Sequence, residues 1–286
     1  MSNSQVIVLQ LLNTLVIIGV LVLSSLGLAI IFGLMDVLNM AHGEFIMLGG
    51  YTVVVTSAWG LNPWLGAVLA AGVVALVGVA IERGMLGRIA GRPLDALLLT
   101  WGLALVLRML IQAIFGAAPR TVNAPIVGAV SVFGTPFPLY KLCVLGVTIV
   151  VTIAVLVLFR YPTFGMRVRA TLQNREMAEC LGVKVRNVYT ISFAIGSALA
   201  GLAGALLSPF ISVNPNLGGT YLVNSFMTVI VGGLGSLVGT IGGSGVIGGA
   251  QGVIAYFGSS VYAQVIVLAI AIVVVRVRPQ GIFTRR

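Results

Sequence analysis

Charge is what this chain has least of. Only 8% of its 286 residues are Asp, Glu, Lys or Arg, where a soluble domain carries roughly 25%. None of them occurs before Asp36, and none between Asn187 and Val275. Hydrophobic residues make up 59% of the chain and fall in long continuous runs. A soluble domain is therefore excluded, and the expected fold is an all-α polytopic membrane protein with a single transmembrane domain over residues 1–286. The runs do not alternate as lipid-facing strands do, which argues against a β-barrel.

Histidine, cysteine and lysine are scarce too, and each scarcity removes a chemistry. His42 is the only histidine, so His-based catalysis would rest on it alone. His42-Gly43-Glu44 echoes the His-x-Glu of zinc deaminases, but no PCxxC follows. Cys143 lies in an apolar run and Cys180 in a basic loop, with no CxxC pair; neither a disulfide nor a metal site is expected. The two lysines, Lys141 and Lys184, follow Tyr140 and Val183, so no Walker A Gly-Lys-Ser/Thr is present. Gly243-Ser244-Gly245 is too short for a nucleophile elbow. No catalytic residue and no cofactor are expected in this chain. The segment MSNSQVIVLQ has no basic n-region, so membrane insertion is expected to start with the first span itself.

What is present is ordered. A net charge of +10 would suit nucleic acid, but the basic residues cluster between apolar runs, as in the cytoplasmic loops of membrane proteins. One cluster holds Arg83, Arg88 and Arg92, a second runs from Arg160 to Arg186, and a third holds Arg276, Arg278, Arg285 and Arg286. The implied partner is the lipid bilayer, not a nucleic acid. Spans are expected at about 6–31, 32–59, 64–81, 96–115, 139–159, 188–207, 221–238, 240–257 and 261–275. The even span counts between clusters put all three on one side. Nine spans place the N-terminus opposite that side; a re-entrant 32–59 lowers the count to eight and reverses it. The loop 116–138 carries only Arg120 as charge and suits the outer side.

Two regions interrupt the apolar pattern. Residues 39–51 read NMAHGEFIMLGGY and hold His42 and Glu44, with Asp36 just before. Residues 209–258 combine glycines with Thr220, Asn224 and Thr228. Such polar, glycine-broken sequence survives in a membrane only where protein or a water-filled path surrounds it, and matching breaks in two halves point to an internal repeat. Three glycines in 232–235 predict a broken segment there. His42 and Glu44 have three readings: lining a path, bracing a broken helix, or sitting at the membrane boundary. Arg108 lies inside the span 96–115; it forms an intramembrane pair with Asp36 or Glu44, or it snorkels to the interface.

The segment about 160–187 is the most specific. Asn174 can cap a short helix that stops at Gly182, with Glu176 and Glu179 in its first turns. Glu176, Ala178 and Gly182 stand at positions 1, 3 and 7 of a window that Arg175, Lys184 and Arg186 surround. This has the form of a surface helix offered to a partner; a solvated basic loop is the plainer reading.

Taken together, the motifs GLMDVLNMAHGEFIMLGGY, ERGMLGRIAGRPLDALLLTWG, the segment 165–207, NPNLGGTYLVNSFMTVIVGGLGSLVGTIGG and RPQGIF make the chain resemble permease subunits of ABC importers of the branched-chain amino acid and urea type. The resemblance covers nearly the whole chain. It implies a coupling helix for an ATPase at Arg175, Glu176, Ala178, Glu179, Gly182, Lys184 and Arg186, with Met177 in place of one alanine of the family pattern. It also implies a second homologous permease, two ATPase subunits that hold the ATP and Mg, a periplasmic solute-binding protein, and a bacterial inner-membrane location. GRPLDALLLTWG, TLQNREMAECLG and PNLGGTYLVNSF look most like the urea type, in which an Asp often replaces Asn224. Urea needs hydrogen bonds and no countercharge, which Asn39, Thr220, Asn224 and Thr228 can supply along a path. Branched-chain amino acids or short amides are the alternative solutes. A stand-alone channel or ion-coupled carrier is the more distant one.

Overall fold

The computed structural model describes residues 3–89, 92–126, 128–132, 134–257, 260–278 and 281–283. Arg285 and Arg286 of the third basic cluster lie outside them. The elements are α1 (Asn3–Met35), α2 (His42–Ala58), α3 (Pro63–Gly84), α4 (Pro93–Phe115), β1 (Ala129–Val132), β2 (Thr135–Pro138), α5 (Leu139–Arg160), α6 (Pro162–Gln173), α7 (Arg175–Cys180), α8 (Val185–Leu207), α9 (Leu217–Gly232), α10 (Leu237–Phe257) and α11 (Ser260–Val277). The fold is polytopic and all-α, as expected, with one small exception. The loop 116–138 contains the antiparallel hairpin β1–β2, paired Ala129↔Pro138 to Val132↔Thr135. Four residues per strand leave too little alternation to be read in advance.

Local chemistry sets the boundaries. Asn62 caps α3, its side chain accepting from the Trp64 N–H at 3.0 Å with Pro63 next in line. Proline also opens α4 and α6. The glycine-rich 232–235 breaks as predicted: α9 ends at Gly232, and Gly233 and Gly235 take positive φ before α10 begins.

Among the described residues six helices are long and apolar enough to cross a membrane: α1, α3, α4, α5, α8 and α10. Three shorter helices complete the bundle. Of these α2 and α9 have 17 and 16 residues, roughly 25 Å of rise, less than a hydrocarbon core of about 30 Å. One end of the bundle carries the hairpin, to which Gln5 bonds through the Gly134 carbonyl. The other end gathers Glu82 with Thr190, Gly33 with Gly235, and Ile282 with Val231, and with them the described members of all three basic clusters. The last turns of α2 reach the loop 120–125 near the hairpin end. Residues 32–59 are therefore not re-entrant, and α1 starts at the end opposite the basic clusters.

The core is the crossing of α1 and α8. Gly27 and Gly196 meet there backbone to backbone, and α8 also packs on α2 through Gly49, Gly201 and Gly204 and on α3 through Gly78. Small residues let helices in lipid approach this closely, where dispersion rather than water exclusion holds them. The periphery is apolar outward: Leu98, Trp101, Met109 and Ile114 on α4 and Ile149, Val150 and Ile153 on α5 are exposed. The order long, short, long recurs in α1–α2–α3 and α8–α9–α10, run in opposite directions. Gly43 of α2 and Gly218 of α9 meet backbone to backbone.

Candidate functional site

The break between α1 and α2 is built by side chains that satisfy freed backbone groups. Asp36 takes φ 51 at the end of α1, a left-handed conformation that aspartate tolerates. Asn39 is buried, and its Oδ1 accepts from the Ala41 N–H at 3.1 Å. Thr100 of α4 receives the Met40 N–H at 3.2 Å and donates to the Leu38 carbonyl at 3.3 Å. His42 is fully buried and donates from Nε2 to the Ser24 carbonyl of α1 at 2.8 Å. Ser24 in turn accepts from Ser225 of α9 at 3.0 Å. The break is thus laced to α1, α4 and α9.

Glu44 lies in the first turn of α2 and accepts from Arg108 Nη2 at 2.5 Å. Glu44 is 2% exposed and Arg108 27%. Of the two carboxylates considered for Arg108, the structure brings Glu44 to it and not Asp36. The Asp36–Arg108 pair does not form because Asp36 is exposed at the basic end of α1, while Arg108 stands in the hairpin half of α4. The guanidinium turns inward, past Gly219 of α9, rather than outward to the interface.

A cavity of about 640 Å³ opens in the hairpin half of the bundle. Its aliphatic wall comes from α1 (Val16, Ile17, Val20, Leu21), from Leu207 at the end of α8 and from Ile211 just beyond it. Thr220, Tyr221 and Asn224 of α9 face it, with Gln251 of α10, Gln264 of α11, Asn13 of α1 and Lys141 of α5. A second cavity of about 310 Å³ shares Thr220, Asn224 and Gln264 and continues along α9 and α11. Of the six residues expected along a path or at a broken helix, Thr220 and Asn224 line this cavity. Thr228 is buried one turn on, its hydroxyl bonded to the Asn224 carbonyl at 2.8 Å, where α9 packs on Gly243 of α10. Asn39, His42 and Glu44 stand at the α1–α2 break, the broken-helix position of that expectation. Sequence reasoning missed Asn13, Lys141, Gln251 and Gln264. A signal was present: apart from Asn224, Gln251 and Gln264 are the only amides from Tyr221 to Val275.

At the basic end, α7 forms as the sequence predicts. Asn174 accepts from the Met177 N–H at 3.0 Å, and Gly182 ends the helix at φ 82, a conformation only glycine adopts without strain. Arg175 and Glu179 pair at 3.3 Å. Ala178 is buried against the bundle, while Glu176, Lys184 and Arg186 are exposed. Met177 and Leu181 are exposed as well, an apolar pair in a charged surface that the motif alone did not single out. Beneath them Thr190 of α8 donates to the buried Glu82 of α3 at 2.6 Å. Among the described residues no group of His, Cys, Asp and Glu could hold a metal ion.

The chain is similar to known proteins over nearly its whole length. The model of a family described as "Branched-chain amino acid transport system / permease component" matches residues 10–275. The chain is 30% identical over 281 residues to the high-affinity branched-chain amino acid transport system permease protein LivH of Escherichia coli (strain K12), covering 92% of this chain and 91% of that one. It is 25% identical over 296 residues to the permease protein BraD of Pseudomonas aeruginosa, covering 96% and 95%. A shorter match, 30% over 137 residues and 45% of this chain, is to the ribose import permease protein RbsC of Bacillus subtilis. No solved structure matches. The chain is a multi-pass membrane protein and not an enzyme, and it belongs to the family of branched-chain amino acid transport system permease components.

Proposed function

We propose that this chain is the membrane-spanning permease subunit of an ATP-driven importer for branched-chain amino acids. The observation that carries the solute is the wall of the main cavity. Val16, Ile17, Val20, Leu21, Leu207 and Ile211 form an aliphatic surface, which suits a branched hydrocarbon side chain; a urea path needs only hydrogen-bonding groups. The names of the relatives support the same solute. The likeness of TLQNREMAECLG and PNLGGTYLVNSF to the urea type keeps urea as the competing reading.

In this reading a periplasmic binding protein delivers solute at the hairpin end. A second homologous permease completes the path. Two ATPases dock at the basic end on α7, and their motion enters the bundle through α7 and the Glu82–Thr190 link. The N-terminus is then periplasmic and the basic end cytoplasmic, in the bacterial inner membrane. ATP and Mg belong to the ATPases, and this chain supplies the path and the docking surface. The test is uptake by proteoliposomes holding the complete importer with its binding protein. ATP-dependent accumulation of leucine with little accumulation of urea is expected; the reverse selectivity overturns the solute.

A further inference from the structure

Lys141 is hard to explain as part of the scaffold. A basic residue at the start of a membrane helix ordinarily extends toward water or headgroups. Lys141 instead lines the main cavity. Among the described residues it is the only charged group in the lining, and no carboxylate shares it. Its Nζ donates to Asn13 Oδ1 at 2.7 Å. The rings of Phe137 and Phe210 flank it, each 5.8 Å from the nitrogen to the ring centre. Two aromatic faces and one amide hold the ammonium in place without neutralising it. An ammonium has three N–H donors, and one goes to Asn13.

The rest of the lining is complementary. Asn224, Gln251 and Gln264 present amide oxygens that can accept from a solute's ammonium group. Val16, Val20 and Leu21 present hydrocarbon. A fixed cation, a set of neutral acceptors and an aliphatic wall are the three surfaces that a zwitterion with an apolar side chain needs. A neutral amide or urea has no use for the cation. A purely cationic solute would be repelled by it.

We infer that Lys141, positioned by Asn13, Phe137 and Phe210, is the carboxylate-reading residue of the translocation path. This deepens the proposed function and rests on its choice of an amino acid. A charge-assisted hydrogen bond is worth more than a neutral one, and a fixed cation in a low-dielectric cavity acts over the distance at which solute enters. Lys141 therefore offsets the cost of moving a carboxylate out of water at the mouth of the path.

The test uses the complete importer in proteoliposomes, with binding protein and ATP. Lys141→Gln is expected to lower the maximal rate of leucine uptake by about tenfold, the loss of one charge-assisted hydrogen bond. ATP hydrolysis stimulated by the loaded binding protein should stay near the parental level. Lys141→Arg should restore most of the uptake. Lys141→Cys, in a background with Cys143 and Cys180 replaced by serine, gives the decisive comparison. Modification with an aminoethyl thiosulfonate restores a cation and should restore uptake; modification with a methyl thiosulfonate, which adds no charge, should not. Equal uptake after both reagents, or full uptake by Lys141→Gln, overturns the role of Lys141 while leaving leucine as the solute. Urea uptake by the unmodified importer in place of leucine overturns the solute reading itself, and the inference with it.

Discussion

Arg108 and Glu44 carry the most consequential contact at the scale of single residues. A carboxylate this deep in the bundle is costly unless it is paired. The pairing joins α4 to the first turn of α2, where a negative charge also complements the helix dipole. Removing one partner leaves the other uncompensated. Arg108→Met should destabilise the detergent-purified protein by about 3 kcal/mol, the lower end for breaking a buried pair; thermal unfolding measures it. The double variant with Glu44→Met should recover much of that loss, and an additive double variant would show that the two groups do not interact. The sequence exposed Arg108 as anomalous and left its partner open between Asp36 and Glu44. Only the register of α4 against α2 settles that choice, and register between helices in lipid is set by small-residue contacts spread over several elements.

Among the elements, α7 was the most legible. Its cap, its stop and its charges are all local features, encoded within nine residues from Asn174 to Gly182. The cavity was legible only in part, because it is assembled from α1, α5, α8, α9, α10 and α11. Asn13 and Lys141 meet across 128 positions, and no local pattern announces such a meeting. Thr228 shows the converse. It shares a face with Asn224 by helical spacing, yet its hydroxyl returns to its own backbone and α10 covers it. For α7 the exposed Met177 and Leu181 make a specific expectation. Charged replacements, Met177→Glu with Leu181→Glu, should leave the permease in the membrane but cut co-purification with its ATPases by at least about tenfold, since apolar anchors dominate binding energy at interfaces. Unchanged co-purification would remove α7 from the docking surface.

For the whole molecule, the bundle puts the hairpin and the described members of the basic clusters at opposite ends. Cys180 is exposed at the basic end and Cys143 is half-buried near the other. A membrane-impermeant maleimide should therefore label Cys180 in inside-out vesicles and not in intact spheroplasts. Labelling from the outside would invert the topology. The long spans were legible because lipid imposes length and because basic residues mark one side; the short helices α2 and α9 left the exact count open. Their packing was legible only in part: the small-residue spacing of Gly196, Ala200 and Gly204 marks a seam on α8, but a glycine has no side chain to name its partner. Those seams have a consequence for how such a protein can change over evolutionary time. Where Gly27 abuts Gly196, and Gly43 abuts Gly218, both members of the pair are already the smallest residue available. A methyl group gained on one side cannot be matched by a methyl group lost on the other. The seam has no compensatory route, so it stays fixed while solute preference drifts elsewhere. Room for new specificity lies instead in the cavity walls, where Val16, Val20, Leu21 and Ile211 meet the cavity through side chains rather than through backbone.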